Sequence, residues 1–130
     1  MSDATQRVTQ ALQAIVCNPE HDEAKIREFF SPQYRQYVDG ESLDFRGFVE
    51  HMAKLKQLAE SIEVTMVAIA GQHQDVLTHH HVAVSKKGGG VSHVDVLAHF
   101  TLQDGMIIRC EELTRLIQGA AEDSSLGHIR

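Results

Sequence analysis

The sequence predicts a single α+β domain: three N-terminal helices packed in the concave face of a strongly curved antiparallel sheet, a cone-shaped barrel around one pocket. Three observations predict it. Apolar residues recur at helical spacing as far as about Glu60. From Ile62 onward, β-branched residues alternate with polar ones at period two. The alternating runs are separated by turn signals, among them three consecutive glycines (Gly88, Gly89, Gly90) and Asp104-Gly105, a dipeptide suited to the positive φ angles of a type I′ hairpin turn.

The first helix is expected over residues 3–16, with Val8, Leu12, Ile15 and Val16 on one side. Asn18-Pro19 reads as a cap followed by a proline at the first helical position. It opens a short second helix through Ile26, Phe29 and Phe30 that stops before Pro32. A loop carrying Tyr34, Tyr37 and an Asp39-Gly40 turn leads to Asp44. That aspartate is an N-cap for a third helix, with Phe45, Phe48, Met52, Leu55 and Leu58 as its apolar stripe. Strands are expected over residues 62–70, 76–86, 91–102 and 106–117. Long strands joined by tight turns make an antiparallel meander, which needs the helices to cover one face. The domain spans residues 1–119, and residues 120–130 read as a short, polar, mobile tail.

Composition narrows the functional classes. A chain of 130 residues, 42% hydrophobic and 23% charged, can bury one core and has no room for a second domain. A formal charge of −6 argues against nucleic acid and against membrane attraction, which both need clustered Lys and Arg. No apolar run approaches the ~20 residues of a membrane helix. Cys17 and Cys110 have no metal-type spacing, and no basic head with an apolar run marks a signal peptide, so a cytoplasmic protein with free thiols is expected.

Strand parity selects the pocket residues. Along residues 94–102, Val94, Val96, Ala98, Phe100 and Leu102 are the more apolar set and should face inward. Centring the preceding hairpin on Gly89 pairs Val84 with Val94, Val82 with Val96 and His80 with Ala98, which turns Val76, Thr78, His80, Val82 and Val84 inward. Met106, Ile108, Cys110, Glu112, Thr114 and Leu116 form the matching inward set of the last strand. The outward set there is Ile107, Arg109, Glu111, Leu113 and Arg115. The inward surface is thus apolar, interrupted by His80, Glu112 and Thr114.

A histidine and a carboxylate converging in an apolar concavity form a candidate general acid/base pair, His80 with Glu112. The competing reading is a buried hydrogen-bonded network with no reaction. Tyr34 and Tyr37 are candidate donors at the pocket mouth, or packing. In the run His79-His80-His81 only the outer two share a face, so it is not one three-ligand cluster. In the expected register His79 lies opposite His99, with His81, His93 and Asp95 nearby. Such a patch could hold zinc or nickel, but with no helical spacing or cysteine motif no metal is assigned, and a polar face that is exposed or buried in a dimer is preferred. Leu77, Leu97, Leu113, Ile107 and Ile117, with Arg109, Glu111 and Arg115, make that outer sheet face amphipathic. A homodimer through it is expected. Cys110 reads as a core residue, and the glycine run, lying between strands, is not a phosphate cradle.

These features carry a family resemblance. Tyr34-Arg35-Gln36-Tyr37, the helix start from Phe45 to His51, Val94-Asp95-Val96-Leu97-Ala98-His99-Phe100 and Asp104-Gly105-Met106-Ile107-Ile108-Arg109 resemble the nuclear transport factor 2-like superfamily, and most of all its SnoaL-like branch. The likeness spans about residues 4–119. It implies a dimeric fold around a small-molecule pocket with no cofactor. Members range from ketosteroid isomerases, polyketide cyclases, epoxide hydrolases and dehydratases to non-catalytic binding proteins, so fold does not settle function. Ketosteroid isomerase uses an aspartate base with a tyrosine and a protonated aspartic acid. Matched on residues 96–102, its acid falls on Ala98 and its base near Gln36 or Tyr37, so both carboxyls are missing. SnoaL-like cyclases use a histidine and an aspartate, and His80 with Glu112 are the residues able to play comparable parts. The expected pocket is completed by Tyr34, Tyr37, Phe48, Met52, Thr78, Val96, Ala98, Phe100, Cys110 and Thr114. The expected ligand is a small apolar or carbonyl-bearing molecule, bound with or without isomerase-, cyclase- or dehydratase-like proton transfer.

Overall fold

The architecture is that of a computed structural model, which describes residues 3–120 together with Asp123, Leu126, Gly127 and Ile129. The chain opens with helix α1 (Asp3–Ala11), whose last turn loosens into a π-helical turn, Leu12–Val16. Val8, Leu12 and Ile15 are buried as their spacing requires. Helix α2 (Glu23–Phe29) starts later than expected. Asn18 spends its side-chain oxygen on the Glu20 N–H, 3.0 Å away, in a local turn, and Asp22 is the cap, accepting from Lys25 N.

The largest departure from expectation follows. Residues 30–38, read as a loop, form strand β1 (Phe30–Val38), which a Glu41–Leu43 strand, β2, joins through the Asp39-Gly40 turn. Pro32 sits near the start of β1, before the regular pairing of Arg35 to Val38 with the last strand, so its missing N–H costs that ladder nothing. Helix α3 (Phe45–Leu58) is capped by Asp44, whose carboxylate accepts the Gly47 N–H at 2.7 Å. It buries Phe45, Phe48, Met52 and Leu55 of its apolar stripe, and Leu58 at its end is half-buried.

Four long strands complete the fold: β3 (Ala59–Gln72), β4 (Asp75–Lys86), β5 (Val91–Gln103) and β6 (Met106–Gln118). With the first two they form one sheet in the order β2-β1-β6-β5-β4-β3. The meander is antiparallel as expected. The β1–β6 pairing, by contrast, is parallel. Asp104 and Gly105 both have positive φ, 52° and 79°, as a type I′ turn demands. Irregular pairing at Ala59/Ser61, Met66/Ala68, His93/Val94 and Thr101/Leu102 places extra residues on one strand, and such bulges bend a sheet around its contents.

Parity survives better than register. The β4–β5 hairpin is centred on Gly88, so His80 pairs with Val96, Val82 with Val94 and Thr78 with Ala98, two residues from the expected alignment. A shift of two leaves every side chain on its face. On the outside, His79 therefore lies opposite Leu97, and His99 opposite Leu77. The start of β6 is different. Thr101 pairs with Arg109 but Leu102 with Ile107, so Ile108 bulges out of the ladder. Ile107, expected outside, becomes fully buried, whereas Met106 and Ile108 are half-buried.

Lys56 ties helix α3 to the π-helical turn. Its buried ammonium donates to the carbonyls of Ile15 (2.6 Å), Val16 (3.0 Å) and Asn18. Burial pushes its pKa down to about 8, so it stays charged at neutral pH.

Candidate functional site

The helices do not fill the concave face. A cavity of about 100 Å³ remains between the π-helical turn, α3 and the inner faces of the sheet. Its walls are apolar: Leu12 and Val16, then Phe48, Met52 and Leu55, then Val82, Val84, Val94 and Val96. The polar points are Gln36 on β1, His51 on α3, His80 on β4, and Glu112 and Thr114 on β6. Among the described lining residues none is Lys or Arg.

His80 is positioned by strand alternation. Thr78, two residues earlier on the same face, places Oγ1 3.0 Å from His80 Nδ1. When the hydroxyl donates to Nδ1, the ring proton resides on Nε2, which is then a donor toward the cavity. Burial, and after it the neighbouring His79, push the His80 pKa down to about 4, so the ring is neutral at pH 7.

Glu112 lies on the other side of β5. Its strand neighbour is Ala98, while His80 faces Val96. Two strand spacings, with an offset of two residues along β5, put the Glu112 and His80 backbones about 12 Å apart, so they are not placed as a contact dyad. Burial pushes the Glu112 carboxyl up to about 7. A hydrogen bond from Cys110, 3.6 Å from Sγ to Oε1, opposes this, and the Asp39 charge adds to it. The buried histidine is thus held neutral by its surroundings, and the half-buried carboxyl is balanced between its two forms near neutral pH.

The support behind Glu112 comes from β1. Tyr34 is fully buried and donates from Oη to Gln36 Oε1 at 2.7 Å, which leaves the Gln36 amide NH2 as the donating end at the cavity. Gln36 and Val38 pair with Cys110 and Glu112 across the parallel ladder. Burial holds the Tyr34 phenol and the Cys110 thiol well above their ordinary pKa values, so both are neutral donors or acceptors. Asp39, in the left-handed region at φ 51°, accepts from both the backbone N–H of Thr114 (2.8 Å) and its hydroxyl. Its own N–H donates to the Glu112 carbonyl at 3.1 Å.

Of the residues singled out from the sequence, the structure brings His80, Glu112, Phe48, Met52, Val96 and Thr114 to the cavity. Tyr34, Thr78, Ala98, Phe100 and Cys110 are buried in the core around it without lining it. Tyr37 lies outside, with the Arg109 guanidinium 4.6 Å over its ring. Gln36 and His51 were missed. His51 had a visible signal, since it sits three residues after Phe48 on the apolar stripe of α3. Gln36 had none while β1 was read as a loop.

On the outer face, His81 Nε2 lies 2.9 Å from His93 Nδ1, and Asp95 lies 3.5 Å from His81 and 3.8 Å from His79. Among the described residues no group of three His, Cys, Asp or Glu side chains is arranged to hold a metal ion. Leu77, Leu97, Leu113 and Ile117 are exposed on the same face.

Comparison with known proteins agrees with this architecture. A family model described as the SnoaL-like domain matches residues 8–110, and the chain belongs to that family. It is 29% identical over 109 residues to an uncharacterized protein of Schizosaccharomyces pombe, with 84% of each chain covered. Solved structures share its fold at low identity. A candidate SnoaL-like polyketide cyclase from Jannaschia sp. CCS1 superposes with a TM-score of 0.74 at 16% identity, covering 86% of this chain and 85% of that one. An epoxide hydrolase of the LEH-like kind from M. tuberculosis gives 0.73 at 16% identity, covering 87% and 83%. A de novo designed protein with a curved β-sheet gives 0.66 at 16% identity, covering 97% and 93%. Among the described residues no helix is long and apolar enough to cross a membrane.

Proposed function

We propose that the cavity binds a small, uncharged, carbonyl-bearing molecule and that Glu112 exchanges a proton with it. The observation that carries this reading is the Glu112 carboxyl, held near pH 7 at an apolar wall, facing a histidine held neutral. Environments that push two titratable groups apart in this way assign acid and base roles. A ligand anion would be buried without a Lys or Arg to pair with, which is costly, so a neutral ligand is favoured. As carboxylate, Glu112 takes a proton from the carbon beside the ligand carbonyl, and His80 Nε2–H donates to the oxygen that gains charge. Returning the proton from Glu112 to a different carbon completes an isomerisation, and proton balance is kept throughout.

The second reading, a non-catalytic binding domain, is favoured by the separation of the two groups across β5. Both readings use the same cavity. A thermal-shift screen of neutral ketones, lactones and enones against the wild type and Glu112→Gln separates them from no binding. The proposal expects stabilising hits that weaken in the variant. A hit profile identical in both proteins would remove Glu112 from the function.

The outer sheet face is proposed as a homodimer surface. Leu77, Leu97 and Leu113 stand exposed among complementary charges, Arg109 beside Glu111 (3.0 Å) and Arg115 beside Asp95 (3.8 Å). Light scattering should give twice the 14.5 kDa chain mass, and a monomer for Leu97→Arg. A wild-type monomer at micromolar concentration would contradict this.

A further inference from the structure

Cys110 is fully buried on β6, two residues before Glu112 on the same inward face, and has no task in the proton exchange proposed above. Phe100 pairs with it on one side and Gln36 on the other. Its Sγ lies 3.6 Å from Glu112 Oε1, within reach of an S–H···O bond. The strand neighbours of Glu112 are Ala98 and Val38, whose side chains carry no donor. Among the described residues, the thiol is the one donor that reaches the Glu112 carboxyl. The Tyr34 hydroxyl also touches the thiol, but its hydrogen goes to Gln36 Oε1 at 2.7 Å. Of the two oxygen groups beside Sγ, the carboxyl is therefore the stronger acceptor once it is charged. The remaining titratable groups acting on the pair are engaged elsewhere: the Asp39 carboxylate accepts from Thr114, and Glu111 accepts from Arg109.

We propose that Cys110 is a positioning residue for Glu112: its thiol holds Oε1 in both the neutral and the charged form of the carboxyl and leaves Oε2 as the oxygen that gains and loses the proton. A group that exchanges a proton needs a partner compatible with both of its forms. A strong donor in this place, such as a guanidinium, would favour the carboxylate over the acid and trap the charge. An S–H is a weak donor, so it orients the carboxyl while leaving the two forms close in free energy. Burial holds the thiol well above its ordinary pKa, so it stays protonated and serves as a donor, not as a nucleophile. The inference rests on the reading of Glu112 as the proton-exchanging group. Its test uses no ligand, so it can fail while cavity binding stands, and stand where binding fails.

The test reads the bond from both ends in the full chain carrying Cys17→Ser, where Cys110 is the remaining thiol. Infrared spectroscopy follows the Cys110 S–H stretching band from pH 5 to 9. The band is expected to move to lower frequency as Glu112 ionises, and to stay in place when Glu112→Gln is added. Carboxyl 13C titration then gives the Glu112 midpoint in two variants. Cys110→Ser, a stronger donor, should lower it by about 0.5–1 pH unit, and Cys110→Ala should raise it by about half a unit. The sign separates a donor from mere packing, because a void that admits water would lower the midpoint in the alanine variant as well. An S–H band indifferent to pH would overturn the proposal. So would two variants that move the midpoint in the same direction, or not at all. The infrared measurement keeps the native residue at position 110, so it decides the question even where a substituted core does not fold.

Discussion

Replacing Glu112 by Gln should make the protein more stable at alkaline pH and leave it unchanged in acid. The folded-state pKa of Glu112, about 7, lies above the ordinary carboxyl value of 4.5. Between those values the folded chain keeps a proton that the unfolded chain has released, so stability falls as pH rises through this window and is level above it. A displacement of that size costs about 3 kcal/mol by pH 8, at 1.36 kcal/mol per pKa unit. Gln is nearly isosteric and never ionises, so the variant lacks the cost. His80 titrates with the opposite sign: with its pKa depressed to about 4, stability is lost as pH falls from 6.5 through 4. His80 is present in both proteins and cancels in their difference. Urea denaturation of wild type and variant from pH 4 to 8.5 measures that difference directly. It should be close to zero at pH 4 and grow to about 3 kcal/mol in favour of Gln at pH 8. A difference that does not vary with pH would refute the claim that burial governs this carboxyl.

Two further substitutions probe the supports of the site. Lys56→Met removes the ammonium that satisfies the carbonyls of Ile15, Val16 and Asn18, and a loss of about 2 kcal/mol is expected in thermal or urea melts. An equally stable variant would show that water replaces the ammonium. Tyr34→Phe leaves Gln36 Oε1 without its donor inside the core and should cost about 1–3 kcal/mol. The same variant should alter the binding of any ligand that contacts Gln36, as read by the shift in its apparent Kd.

How much of this was legible depended on whether a signal was local. The Asp44 cap and the Asp104-Gly105 turn are written in adjacent residues and are found where the sequence placed them. Inward parity on β4 and β5 survived a two-residue error in register, because parity depends on alternation and not on where Gly88, Gly89 and Gly90 fold the hairpin. That is why His80 and Glu112 could be placed on one face. The β6 bulge could not be foreseen. Met106, Ile107 and Ile108 are all apolar, so alternation carries no information there, and Ile107 was put on the wrong side. Strand β1 was hidden by its setting. Pro32 and the mixed run from Gln33 to Tyr37 resemble a loop, and the partner that makes them a strand is some 70 residues away, in parallel. Gln36, and the support that Tyr34 gives it, went unseen with β1. The described residues after Gly119 differ from the expected mobile tail: Asp123 and Leu126 are buried through contacts with Ser92, Lys86 and the cavity, which no local pattern announces.

A 13C-detected titration of the Glu112 side-chain carboxyl tests the account most directly. In the free protein its midpoint should fall near 7, and it should move higher when a neutral carbonyl compound from the thermal-shift screen is bound, because the ligand excludes water and further disfavours the charged carboxylate. A midpoint in the ordinary carboxylate range, or one that binding leaves in place, would contradict it.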